Sequence, residues 1–119
     1  MTNLWNETIA ILEVNGKNWN DVIQIGGKDF YISKDNYEEV ALMTNYDNGY
    51  GAPEIAQDLE LVGSDFKLIR SEYDGSEWFD FISFAPAAKK ETIWVERLKI
   101  RNDQIGWKPL KSINIEEEL

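Results

Sequence analysis

Phe66-Lys67-Leu68-Ile69-Arg70-Ser71-Glu72-Tyr73-Asp74-Gly75-Ser76-Glu77-Trp78-Phe79-Asp80-Phe81-Ile82-Ser83-Phe84 is the stretch on which the fold turns. Both arms are rich in aromatic and β-branched residues, and Asp74-Gly75 meets the positive-φ demand of a tight hairpin turn. Apolar and polar residues alternate unevenly along the second arm, so both faces of the hairpin are expected to be covered in part. Glu72 and Glu77 read as outward residues of their strands. Just upstream, Leu59-Glu60-Leu61-Val62 reads as a further strand, with Gly63-Ser64-Asp65 turning into the hairpin.

Working toward the N-terminus, Asn45-Tyr46-Asp47-Asn48-Gly49-Tyr50-Gly51-Ala52-Pro53 is a loop by composition, and Pro53 is placed to open a helical turn through Glu54-Ile55-Ala56. Tyr37, Val40 and Ala41 trace one face of a helix expected over 34–45, capped at Ser33 or a position or two later. Gly26-Gly27 separates two β-rich runs, 21–25 and 28–32, as a second tight hairpin would require. Trp19 stands just before the first of these runs, placed to cover the open end of the sheet. Residues 4–14 carry apolar groups at helical spacing, with Asn3 or Thr2 as cap and Gly16 as stop; a strand is the competing reading.

Toward the C-terminus, 85–90 breaks the sheet and 92–100 reads as a last strand, with a helix as alternative. The segment through Trp107, Pro109 and Leu110 is expected to pack across the domain, while 114–119 reads as a flexible acidic tail. The fold class is therefore α+β: one domain over 1–119, with a curled antiparallel sheet of five or six strands packed with one or two helices.

Composition narrows the chemistry. There is no cysteine and no histidine, which removes disulfides, thiolate or histidine metal sites, and the usual histidine relays. Net charge is −10, and it lies in the body of the chain: residues 1–86 hold 16 acids against 5 bases, whereas 87–119 hold 6 against 7. Such a field disfavours direct contact with nucleic acid or an anionic membrane and favours a basic protein surface, that of a nucleic-acid-binding protein included. The N-terminus shows no secretory pattern and no apolar run of spanning length, so a cytoplasmic location is the expectation.

No motif specifies a reaction. From Asp47, an EF-hand reading runs through Tyr50, Gly51, Ala52 and Pro53, which supply almost no side-chain ligands, so Asp47 is expected to bond its own backbone instead. Gly49-x-Gly51 lacks the rest of a phosphate loop. The acids of 72–80 resemble a hydrolase pair only in number, since a hairpin tip facing water leaves their pKa values unperturbed. No metal, cofactor or catalytic residue is expected. The more informative feature is the mixture of aromatic and acidic residues in two segments, Tyr46, Asp47 and Tyr50 in one, Tyr73, Asp74, Glu77 and Trp78 in the other.

These residues are the candidate binding site of a non-catalytic protein-binding module, an inhibitor or regulator. In size and acidity the chain is similar to small proteins of phages and mobile elements, a likeness of character that carries no motif. The alternative is an oligomeric structural or accessory protein, self-associating through the basic stretch 89–111, and a carboxylate hydrolase is third.

Overall fold

A computed structural model describes residues 1–49, 51–83 and 91–115. The strand end at Phe84, the break at 85–90 and residues 116–119 of the expected tail lie outside the described residues, whereas Asn114, placed in that tail by the sequence reading, ends a helix. The elements run β1 (Thr2–Asn3), α1 (Leu4–Val14), a 3-10 turn (Trp19–Asp21), β2 (Gln24–Gly26), β3 (Tyr31–Ile32), α2 (Lys34–Leu42), β4 (Asn45–Tyr46), β5 (Glu60–Val62), β6 (Phe66–Tyr73), β7 (Ser76–Ser83) and α3 (Leu110–Asn114). An open five-strand sheet has the order β3-β2-β5-β6-β7, and β1 pairs with β4 in a small second sheet. All strand pairs are antiparallel. The fold is α+β, as the sequence predicts.

Helix α1 forms where the periodicity places it. The Asn3 side chain accepts the Asn6 N–H at 3.0 Å, and Gly16 beyond its end has φ +75°. Leu4, Thr8 and Leu12 recur every four residues and are fully buried. Glu7, Ala10, Ile11 and Val14 form a second stripe at i, i+3, i+4, i+7, turned toward β7.

Helix α2 is capped by Ser33 and buries Tyr37, Val40 and Ala41. It ends at Leu42, short of the expected 45, because Asn45 and Tyr46 are recruited as β4. Trp19 packs on Trp5 at 4.8 Å and on Tyr37 at 5.8 Å.

The glycine pair 26–27 is needed, but for a reason other than the expected tight turn. Neither residue has positive φ, and the connection runs from Gly27 to Phe30. A Cβ on Gly26 would lie 2.3 Å from the Phe30 carbonyl oxygen, and one on Gly27 would lie 2.4 Å from Asp58 Oδ2. Close approach, not turn geometry, selects glycine here.

The expected helical turn at 54–56 is absent: the Glu54 and Ile55 amides turn toward the Glu77 carboxylate instead. Residues 92–100 form neither strand nor helix, only bridges at Thr92 and Lys99. Isolated main-chain bonds at Ile93, Leu98 and Ile100, with asparagine side chains between them, satisfy this backbone in place of a continuous ladder. Buried Asn36 donates to the Val95 carbonyl at 2.8 Å and accepts the Val95 N–H, while Asn114 Oδ1 accepts from Glu96 and Arg97 at 3.1 and 2.8 Å. Val95 and Leu98 thereby reach the core, and the Trp107 indole donates to the Ile55 carbonyl at 2.8 Å. The unexpected α3 buries Leu110 and Ile113 behind them. No helix among the described residues is long and apolar enough to cross a membrane.

Candidate functional site

The tip of the β6–β7 hairpin and the loop after β4 are built as one ledge. Asp74 and Gly75 take φ values of 52° and 87°, the double positive φ of a two-residue hairpin turn. The tip then lies against the loop: a Cβ on Gly75 would stand 2.3 Å from the Gly51 carbonyl oxygen, and the Glu77 N–H donates to the Asn48 carbonyl at 3.0 Å. Within the loop, Asp47 Oδ1 accepts the Gly49 N–H at 3.0 Å, the local backbone turn expected of it. Asp47 N–H donates to Glu54 Oε2 at 3.0 Å.

Beneath the ledge lies a buried ionic cluster centred on Arg70. Its Nη1 donates to Glu7 Oε2 at 3.2 Å; its Nη2 donates to Glu77 Oε1 at 2.9 Å and to the Tyr46 hydroxyl at 3.1 Å. The guanidinium stacks 4.4 Å from the centre of the Phe79 ring. The Tyr46 hydroxyl in turn donates a hydrogen bond to Glu7 Oε1, and the Phe79 N–H donates to Glu7 Oε2 at 3.1 Å. Both Glu77 oxygens are occupied, Oε1 by Arg70 and the Ile55 N–H (3.1 Å), Oε2 by the Glu54 N–H.

Each of these contacts follows from a neighbouring element. The pairing of β1 with β4 brings Tyr46 beside the first turns of α1 and so beside Glu7. Register places Arg70 opposite Phe79, on the face that also carries Phe66, Leu68 and Glu77. Burial holds the Tyr46 hydroxyl above the ordinary phenol value, so it stays a donor to Glu7. Burial also raises the Glu77 carboxyl, against the lowering effects of the Glu54 amide, Arg70 and the Ile55 amide.

Tyr46 and Glu77 are therefore corrections to the sequence reading. They are 0% and 1% exposed, and they hold the ledge up from below rather than meeting a partner on it. Glu77 faces inward because the backbone of 48 and 54–55 closes over the first residues of β7. Tyr50 lies outside the described residues. Asp47, Asp74, Tyr73 (76% exposed) and Trp78 (38%) remain at the surface, joined by Glu72. Tyr73 and Trp78 share the outer sheet face as diagonal neighbours across the hairpin. Trp78 is held in place there by an indole hydrogen bond of 3.0 Å to Asp80.

The residues missed by sequence reading are Arg70 and Glu7, and the signal for Arg70 was present. It shares the period-two phase of Phe66 and Leu68, where a cation must bring its own carboxylates inside. Chemically, the arrangement has a carboxylate, Glu77, whose oxygens are already filled by N–H donors, and a projecting surface of acids and aromatics. Among the described residues no group of three or more Asp or Glu side chains is placed to hold a metal ion. Comparison with protein-family models, with curated proteins and with solved structures finds no match to this chain.

Proposed function

We propose that the protein is a non-catalytic binding module that docks a basic protein surface, in the manner of an inhibitor or regulator. The observation that carries this reading is the contact between the two candidate segments, Gly75 on Gly51 and Glu77 on Asn48, which sets the loop that carries Asp47 against the hairpin that carries Asp74, Tyr73 and Trp78. A partner's cations are attracted by Asp47, Glu72 and Asp74, while Tyr73 and Trp78 offer rigid apolar contact at low entropic cost. Support from below matters equally. The Arg70 cluster ties both segments to α1, so little ordering is left to be done on binding.

Light scattering after size exclusion tests this reading against the self-associating alternative. The domain is run alone and mixed with a panel of basic globular proteins, at roughly 50 and 500 mM salt, a range over which screening of exposed charges rises steeply. The expected result is a monomer alone at both salts and mixed complexes that dissociate at the higher one. Self-association at low salt without mixed complexes would instead support an oligomeric accessory protein, built from the basic stretch of one copy on the acidic body of the next.

A further inference from the structure

Beside the ledge, α1 and β7 enclose a groove of about 390 Å³ lined by Glu7, Ala10, Ile11, Val14, Trp78 and Phe79. Its walls are apolar: the second stripe of α1 on one side, Trp78 and Phe79 on the other. Val14 is 78% exposed at its mouth and Ala10 is exposed beside it, so among the described residues this stripe of the helix is only partly covered. At the base sits Glu7, its side chain 16% exposed. The groove and the ledge meet at Trp78.

The charge of that base is unbalanced. Glu7 and Glu77 share a single buried cation, Arg70, which is the cation within ion-pair distance of either among the described residues. Three N–H donors surround Glu77, the partners that a carboxylate requires. Glu7 likewise receives only donors, from Tyr46, Arg70 and Phe79. Tyr46 stays neutral, because burial holds its proton on. Two carboxylates against one guanidinium leave one negative charge uncompensated, and Glu7 is the member of the cluster that opens on the groove. Among the described residues its Oε1 accepts from Tyr46 alone, which leaves a lone pair for a further donor.

We propose that this groove takes the side chain of an arginine or lysine from a basic, extended segment of a partner protein. The aliphatic stem lies along Ala10, Ile11 and Val14, the cation passes the Trp78 ring, and the charged head reaches Glu7 and completes the charge balance of the cluster. This rests on the binding-module reading above and deepens it: the ledge attracts the partner and the groove anchors one residue of it.

The test uses the whole chain and three short amidated peptides, identical except at a central residue: arginine, citrulline (same stem, no charge) or aspartate. Binding is followed by NMR at the methyl groups of Ala10, Ile11 and Val14, the Trp78 indole, and the amides of Asp47, Gly49, Tyr73 and Asp74. The arginine peptide is expected to shift the groove signals and to bind at least about tenfold more tightly than the citrulline one, as for a cation meeting a partly buried carboxylate. The Ala10→Lys/Val14→Lys variant, changed at two exposed positions outside the ionic cluster, should lose about tenfold in affinity for it.

Equal binding of arginine and citrulline, or full affinity in the variant, overturns the proposal; the peptide comparison alone decides if the variant fails to fold. Shifts confined to the ledge amides overturn the groove and leave the binding-module reading standing, whereas no shift on either surface removes both. A dimer that dissociates in the Ala10→Lys/Val14→Lys variant assigns the groove to a second copy of the chain and also overturns the proposal.

Discussion

Replacing Arg70 by Met is expected to destabilise the domain by roughly 3–5 kcal/mol, the cost of breaking a buried ion pair from one side. Methionine fills much of the space and keeps contact with Phe79, so lost volume contributes little. What remains is electrostatic. Glu7 and Glu77 lose their shared cation, and Tyr46 loses the N–H that its hydroxyl oxygen accepts. With total stability of a small domain at about 5–15 kcal/mol, a loss of this size leaves it marginal at 37 °C. Urea unfolding followed by tryptophan fluorescence measures it. A cost below about 1 kcal/mol, the usual range for exposed pairs, would mean that the cluster is solvated and carries no structural load.

A loss of similar size, again roughly 3–5 kcal/mol, is expected for Glu77→Ala, which leaves Arg70 short of one carboxylate and the Glu54 and Ile55 amides without an acceptor. An outward-facing glutamate at the same position would cost under about 0.5 kcal/mol, so one denaturation curve separates the two readings. The pH dependence carries a second signature. Burial raises the Glu77 carboxyl in the folded protein, so the folded state holds its proton more tightly than the unfolded chain does. The contribution of that group is fully present below the ordinary carboxylate value and is lost as pH rises through the raised one. Unfolding free energies of wild type and Glu77→Gln, compared across that window, should show a fall with pH in wild type that is smaller in the variant. Identical slopes would contradict the assignment.

Local signals carried the fold further than they carried the site. Asp74-Gly75 is a turn because two consecutive residues must adopt positive φ, and that requirement is written in the dipeptide itself. Helix α1 was similarly legible, since cap, stripe and stop all lie within residues 3–16. Residues 92–100 form no strand because their backbone partners are scattered: the main chain of Tyr31, Glu54 and Ala56, and the side chains of Asn36 and Asn114, the last in an unexpected helix. A β-rich composition cannot distinguish a ladder from a strap held at scattered points.

Glu77 illustrates the same limit at the site. Next to a glycine turn its exposure is the natural expectation, and it is overturned by backbone arriving from 48 and 54–55. Register did hold the clue: a turn closing Tyr73 on Ser76 sets Arg70 against Phe79, and puts the cation in phase with the core. Asp47, Tyr73, Asp74 and Trp78 stay at the surface where sequence places them, because Asp47 and Asp74 lie on turns and Tyr73 and Trp78 on the outward phase of the hairpin, where the Trp78 indole donates to Asp80. No local pattern revealed that the two segments touch, since that contact is set by the β1–β4 pairing on one side and the hairpin register on the other.

Recognition of a basic partner is proposed to lie in the ledge, and not in the acidity of the molecule as a whole. Two charge reversals that give the same net charge separate these directly. Glu72→Lys, combined with Tyr73→Ala, alters the ledge; Glu39→Lys alters the exposed side of α2. Affinity for a basic globular protein is measured for both at about 50 mM salt, where the screening length is about 14 Å. The ledge variant is expected to lose at least about tenfold and the α2 variant no more than about twofold, with both folded as judged by unchanged unfolding midpoints. Equal losses in the two variants, or full affinity in the ledge variant, would show that the partner senses net charge or another face of the domain.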